Sequence, residues 1–325
     1  MIKRLRIDIG GIVQGVGFRP FIYRLALRHG LSGRVWNGPG GVTIEVQGEG
    51  ASLNAFVAAI RTEAPPLALI ASLESREIPP LAGDDAFAIV ESIGGSGRTM
   101  VPPDCDVCPD CLAELFDPAD RRYRYPFINC TNCGPRYSII TATPYDRPNT
   151  TMAGFPLCPE CLREYEDPRD RRFHAQPVAC PVCGPRLRLL DPSGAGLPDD
   201  PLEGAVVALK EGKIVAVKGI GGYHLAVDPC NPAAVEELRR RKNRDEKPFA
   251  IMVADLEKAA TFVQLGEMEA RFLSGPERPI VLARKVPGNP AASGVAPAND
   301  WFGIMLPSSP LHYLLLEGFA ALVMT

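Results

Sequence analysis

Residues 5–26 read LRIDIGGIVQGVGFRPFIYRLA, and three kinds of patterning follow one another within them. Leu5, Ile7 and Ile9 alternate with polar residues, the period of a half-buried strand. Gly10–Gly17 is a glycine-rich loop, where positive φ angles and close backbone approach are sterically free. Pro20 sits just inside a helix whose Phe21, Ile22, Leu25 and Ala26 keep the 3.6-residue period, and Gly30 ends it. A strand, a glycine loop and a helix N-terminus in that order aim successive backbone N–H groups at one point, the makings of an oxyanion cradle. Arg19 adds a planar, permanent charge that suits a phosphate.

Working outward, Val35 leads a strand into the turn Asn37-Gly38-Pro39-Gly40-Gly41, and Val42, Ile44 and Val46 alternate on the way back as a hairpin. Asn37, at the end of the neighbouring strand, is placed to face the same point as Arg19 and to hold a water for in-line attack. Ala51–Thr62 is a second amphipathic helix, and strands near 70–78 and 86–91 close the unit. The order β-α-β-β-α-β predicts a ferredoxin-like domain over 1–92. Taken alone, the same residues also describe an ordinary turn with a surface arginine and an Asn-Gly hairpin.

Beyond a predicted linker at Gly94–Gly97, four Cys-x-x-Cys pairs occur at 108/111, 130/133, 158/161 and 180/183. Thiolates three positions apart on a tight turn share one tetrahedral Zn²⁺, and two such turns complete a Cys₄ site. Cys108–Arg136 matches Cys158–Arg186 at fifteen of twenty-nine positions, so the block is an internal repeat and each copy is one metal-binding unit. Two structural Zn²⁺ ions are expected over 93–190. Pairing within each repeat joins Cys108, Cys111, Cys130 and Cys133, and separately Cys158, Cys161, Cys180 and Cys183; crossed pairing between repeats stays open. Four thiolates on one Zn²⁺ leave net negative charge, and Arg121, Arg122, Arg124, Arg136, Arg171, Arg172, Arg186 and Arg188 stand close in sequence to offset it. Cys105, Cys230, His29 and His174 read as ordinary structural or surface residues.

Ten cysteines would suit a secreted disulfide scaffold only in a short, loop-rich chain, and this chain has 325 residues with 46% hydrophobic content. No apolar run reaches the roughly 18–20 residues of a membrane span, and no signal peptide opens the chain, so a cytoplasmic protein is expected. The net charge of −3 leaves no whole-chain footprint for nucleic acid.

From Leu202 helix and strand alternate: helix at Val206–Glu211, strand at Ile214–Lys218, helix at Ala233–Lys242 and strand at Phe249–Val253, then helix at Leu256–Phe262, strand at Ile280–Ala283 and helix at Leu311–Leu316. The third domain is expected over 200–325. Lys218, Tyr223 and His224 follow a strand directly, and Lys242, Arg244, Lys247, Arg278, Ser308, Ser309 and His312 stand near other strand–helix junctions, where they could converge on a triphosphate. Ala321–Thr325 reads as an apolar strand cut off in mid-flow, the mark of a piece of a longer protein.

Three resemblances bear on these readings. Gly11-x-Val13-Gln14-Gly15-Val16-Gly17-Phe18-Arg19, with Gly33-x-Val35-x-Asn37 and Gly41-Val42-x-x-Glu45, resembles the acylphosphatase signature. That resemblance implies a phosphate-binding loop of Gln14, Gly15, Val16, Gly17 and Phe18, an arginine (Arg19) on the acyl phosphate and an asparagine (Asn37) orienting water. The Lys218–Leu225 loop, Lys242-x-Arg244 to Lys247-Pro248, Arg278-Pro279-Ile280 and Pro307-Ser308-Ser309 with His312 resemble the YrdC/Sua5 family, which binds ATP in a basic cavity. The fold class is therefore expected to be α+β multidomain: a ferredoxin-like acylphosphatase domain, a double Cys₄ zinc module and an incomplete YrdC-like α/β domain. The whole order resembles the HypF family of hydrogenase-maturation carbamoyltransferases. It implies hydrolysis of carbamoyl phosphate to carbamate, ATP-dependent carbamoyl adenylate formation with Mg²⁺, and transfer to the partner HypE. An RNA-binding zinc/YrdC module and a simple acylphosphatase with structural zinc domains are the rival expectations; no nucleic-acid or membrane partner is expected.

Overall fold

The computed structural model describes residues 2–83, 85–93 and 100–325, and the chain forms two compact units. The first comprises Met1–Asp104 with Ile128–Gly184, the second Cys105–Phe127 with Pro185–Thr325. The cysteine block is thus divided between them. The predicted linker Gly94–Gly97 lies outside the described residues.

In the first unit, β1 (Ile2–Ile12), α1 (Phe18–Arg28), β2 (Ser32–Gly38), β3 (Gly41–Glu49), α2 (Gly50–Thr62), β4 (Leu69–Ile78) and β5 (Phe87–Ile89) follow in order. The sheet runs β4-β1-β3-β2-β5, antiparallel throughout except that the short β5 lies parallel to β2 at the edge. This is the ferredoxin-like order with one added edge strand. Alternation places Ile7, Ile9, Val35, Val42, Ile44 and Val46 on one face, where they meet Phe18, Ile22 and Leu25 of α1 and Leu53, Phe56 and Ile60 of α2. At about 25 cal/mol per Å² this apolar burial is the main term that holds helices on sheet.

Two devices aim the loop after β1. Between Gly10 and Gly11 the register against β4 shifts, so the strand bulges there, and Gly11 sits at φ 128° against the Leu69 carbonyl. On the other side the hairpin turns over Pro39 and Gly40, and Gly41 at φ 140° presses on the Ile9 carbonyl. Both glycines let neighbouring backbones approach where a Cβ would not fit.

Each cysteine repeat opens with a short helix whose first cysteine is the N-cap and whose proline is the first helical residue: α3 (Pro109–Phe116) after Cys108 and α4 (Pro159–Glu166) after Cys158. In the second unit α5 (Pro201–Lys210), β6 (Val215–Lys218), β7 (Tyr223–Val227), α6 (Pro232–Lys242), β8 (Ala250–Val253), α7 (Leu256–Phe262), α8 (Glu267–Leu273), β9 (Val281–Arg284), β10 (Trp301–Met305), α9 (Pro310–Leu316) and β11 (Ala321–Met324) build a mixed sheet in the order β6-β7-β11-β8-β10-β9. Only β8 and β10 pair in parallel. The sequence pattern misses β7, α8 and β10. Strand β10 is buried on both faces after Trp301, so it shows no alternation, and Gly303 interrupts it.

Replacing Gly41 by alanine puts a Cβ into the Ile9 carbonyl at a backbone angle L-residues avoid. Gly41→Ala should destabilise the first sheet by more than about 1 kcal/mol. Urea unfolding followed by Trp36, buried on β2, measures it in a Trp301→Phe background. An unchanged midpoint would refute the close-approach account.

Candidate active site and metal centres

The loop from Val13 to Gly17 is pinned before it can serve anything else. Gly15 and Gly17 take φ 71° and 73°, and Gly17 caps α1 in the left-handed region. A Cβ on Gly15 would press on the Tyr145 ring, and one on Gly17 would press on Thr131. Gln14, 1% exposed, donates through Nε2 to the carbonyls of Gly38 (2.9 Å) and Gly41 (2.8 Å), and its Oε1 accepts the Tyr145 N–H at 3.0 Å. The Gln14 side chain is therefore a clamp between loop, hairpin and residue 145, and its amide is not left over for an anion.

Arg19 and Asn37 line one cavity. Arg19 is 8% exposed, and its Nη1 donates to Ser92 Oγ at 3.2 Å while Nη2 donates to Asp146 Oδ1 at 2.6 Å. Asn37 is 1% exposed; its Nδ2 reaches the Tyr145 carbonyl at 3.4 Å, and its Oδ1 has no partner among the described residues. The cavity is about 20 Å³, room for roughly one water. Its remaining wall comes from 128–184 of the same unit: Thr131, Arg136, Tyr145, His174, Ala175 and Gln176. Sequence reading passes over Tyr145 and Asp146, between the two repeats, and Gln176, inside the second, because nothing local marks any of them as packing near Arg19.

Arg136, read as charge balance, is 1% exposed and works on the backbone. Its Nη groups donate to the carbonyls of Cys130, Thr131, Cys133 and Pro135, and its Nε donates to the carbonyl of Gly15. His174 sits in the left-handed region at φ 54° and packs on Tyr165 and Phe173. Burial, and then the nearby Arg19 charge, push its pKa down to about 4, so it is neutral at pH 7. Burial raises the Tyr165 phenol, whose O–H donates to Gln176 Oε1 at 3.1 Å.

The cysteines gather by repeat. The sulfurs of Cys108, Cys111, Cys130 and Cys133 lie within 4.8 Å of one another, and so do those of Cys158, Cys161, Cys180 and Cys183. A tetrahedral Zn²⁺ with Zn–S bonds of about 2.3 Å requires sulfur–sulfur edges of about 3.8 Å. The observed edges are 3.7 Å for Cys130–Cys133 and for Cys158–Cys180, 3.8 Å for Cys180–Cys183 and 3.6 Å for Cys161–Cys183. Both donor sets fit Zn²⁺, with pairing inside each repeat. Arg122 and Arg172 are buried like Arg136, and Arg172 donates to the Asn129 carbonyl.

In the second unit a cavity of about 410 Å³ is walled by His224, Arg244, Phe249, Ile280, Met305 and Thr325 among others. His224 stacks on His312 at 5.9 Å, and Ser308 lies 3.4 Å from His312 Nδ1 through both N and Oγ. Burial pushes His312 down to about 4 and lowers His224. The other expected nucleotide ligands are not in this wall. Lys218 lies over the exposed Tyr223 ring, Lys247 is exposed, Lys242 is half-buried and Ser309 is buried. Arg278 is instead ion-paired with the buried Asp106, whose carboxyl burial raises. Arg244 itself donates to the carbonyls of Lys247 and Pro248.

Three family profiles match the chain. They are acylphosphatase over 5–89, the HypF finger over 107–140 and 157–190, and the Sua5/YciO/YrdC family, described as telomere recombination, over 207–325. Carbamoyltransferase HypF2 of Cupriavidus necator is 54% identical over 318 residues, 97% of this chain and 39% of that protein. A crystal structure of full-length HypF in the phosphate- and nucleotide-bound form is 49% identical and matches with a TM-score of 0.95, covering 100% of this chain and 43% of that one. The acylphosphatase of Caldivirga maquilingensis is 40% identical over 86 residues, 26% of this chain and 86% of that enzyme. Fold and matches define a multidomain enzyme that joins an acylphosphatase-type domain to paired Cys₄ fingers and a YrdC-type sheet. The chain belongs to the HypF carbamoyltransferase family, and spans about two fifths of the length of the curated relatives it matches. No helix among the described residues is long and apolar enough to cross a membrane.

Metal analysis of the purified chain should return about two zinc ions, one per Cys₄ set, and Cys161→Ser should remove one. A single zinc in the unsubstituted chain would contradict the edge lengths. Buried His174 and His312 take up protons near 6.5 once unfolded, against about 4 when folded. Their contribution to stability is therefore full above about pH 6.5 and lost as pH falls towards 4. Thermal unfolding between pH 7 and 4.5 should show that slope, shallower in His174→Gln; an identical slope would refute the burial of a neutral imidazole.

Proposed function

We propose that the first unit hydrolyses carbamoyl phosphate to carbamate and phosphate. The observation that carries this reading is the buried Asn37 Oδ1, without a partner among the described residues, on a side chain that lines the same cavity as Arg19. In it, Arg19 and the N–H groups of the Gly15–Phe18 turn hold the phosphoryl oxygens, and Asn37 Oδ1 accepts a hydrogen bond from the attacking water. Water adds at phosphorus, the bridging O–P bond breaks, and carbamate leaves with that oxygen. Positioning and charge stabilisation supply the rate, and no covalent enzyme intermediate is needed. Neutral His174 adds no second cation against Arg19. The Cys₄ centres have no open ligand position and serve the wall, not the reaction.

In the full-length protein, in this reading, the completed YrdC-type domain takes ATP with Mg²⁺ and joins carbamate to it, releasing pyrophosphate and forming carbamoyl adenylate; this chain by itself carries the first half-reaction, with adenylate formation weak or absent. Support comes from His224, which lines a 410 Å³ cavity and stacks on His312, and from the nucleotide that the 49%-identical relative was solved with. In the full-length protein the carbamoyl group then passes to the C-terminal cysteine of HypE, in maturation of a [NiFe] hydrogenase in the cytoplasm.

Arg19→Ala should lower phosphate release from carbamoyl phosphate by at least about 10³-fold, and Asn37→Ala by about 10²–10³-fold, with zinc content unchanged. In the full-length protein Arg19→Ala should also stop carbamoyl-phosphate-dependent ATP–pyrophosphate exchange. Retained phosphate release in Arg19→Ala would remove Arg19 from the reaction.

A further inference from the structure

Arg19, which lines the cavity, is held by an acceptor that the acyl-phosphate reaction itself does not require. Asp146, in the segment between the two cysteine repeats, places its carboxylate 2.6 Å from Arg19 Nη2, with the aspartate side chain 21% exposed. The match to acylphosphatases ends at residue 89, so the single-domain enzymes end before this part of the wall. Whatever Asp146 does is therefore an addition to the bare hydrolytic site.

Carbamoyl phosphate differs from acetyl phosphate in one group that matters for recognition: an amino group with two N–H donors in place of a methyl. A site that distinguishes the two needs an acceptor near the acyl end, and most acceptors around this cavity are engaged. Gln14 Oε1 takes the Tyr145 N–H, Gln176 Oε1 takes the Arg147 N–H and the Tyr165 hydroxyl, and the Tyr145 carbonyl takes Asn37 Nδ2. Asn37 Oδ1 is assigned to the water. Asp146 remains, held for the moment on Arg19. Arg19 Nη2 is occupied by Asp146, so a phosphoryl group that takes Nη2 has to displace that carboxylate from the guanidinium.

Resting on the acyl-phosphate reading of this site, we propose that Asp146 is a specificity-determining residue that accepts a hydrogen bond from the carbamoyl amino group and so selects carbamoyl phosphate among acyl phosphates. Arg19 exchanges one oxyanion for another, and the carboxylate it releases meets a donor that acetyl phosphate does not have. A charged acceptor gives a strong hydrogen bond, and acetyl phosphate would leave it unpaired beside a methyl group.

The test is the ratio of kcat/KM for carbamoyl phosphate to that for acetyl phosphate, which does not depend on the fraction of chains folded. It is measured in the unsubstituted chain, in Asp146→Ala and in the isosteric Asp146→Asn, with Arg19→Ala as the control for the site. The ratio should fall at least about tenfold in Asp146→Ala, and by less in Asp146→Asn, which keeps an uncharged acceptor. If both substrates change together and the ratio holds in both variants, Asp146 is only a latch on Arg19 and the proposal is overturned while the acyl-phosphate reading stands. If hydrolysis in the unsubstituted chain does not depend on Arg19, that reading falls, and the proposal with it.

Discussion

A guanidinium buried at 1% exposure has to find acceptors for all five of its N–H donors, and Arg136 finds five backbone carbonyls. Four belong to the turn that carries Cys130 and Cys133; the fifth is Gly15, inside the glycine loop. Losing any one acceptor would leave a buried donor unpaired beside a charge, which is costly in a low-dielectric interior. The turn that carries Cys130 and Cys133 and the glycine loop are therefore held by the same side chain.

Conformation and packing then finish the loop. Gly15 and Gly17 accept left-handed angles, while Tyr145 and Thr131 close over them from the cysteine-bearing segment. Gln14 spans the hairpin and Tyr145. The glycine loop of the acylphosphatase-type domain is here roofed by Thr131 and Tyr145, which lie beyond the stretch that matches single-domain acylphosphatases. A roof excludes water, which strengthens every charge interaction beneath it. It also adds groups near Arg19, Asp146 and neutral His174 among them.

How much was legible follows the range of each interaction. The strand–loop–helix order around Arg19, the Asn37 hairpin and the four cysteine pairs are local patterns, and all are found where the pattern places them. The long-range pairings are not written locally. Asp146 meets Arg19 across 127 positions, and Arg278 is taken by Asp106 across 172. Strand β10 hides its identity because it is buried on both faces. Of the basic residues expected around a nucleotide, Arg244 reaches the cavity wall, while Lys218, Lys242, Lys247 and Arg278 do not.

The internal repeat shows the same division most plainly. Arg136 and Arg186 occupy equivalent positions in two nearly identical motifs, yet Arg136 is fully enclosed and Arg186 is exposed. Motif and spacing by themselves marked four Cys-x-x-Cys turns in two repeats, because such a turn is short-range geometry; that the turns gather within each repeat, and not across the two, is read from the fold. Only the tertiary structure decided that one arginine bridges a cysteine turn and the glycine loop. Burial depends on which surface packs over a residue, and no residue carries that information in its own neighbourhood.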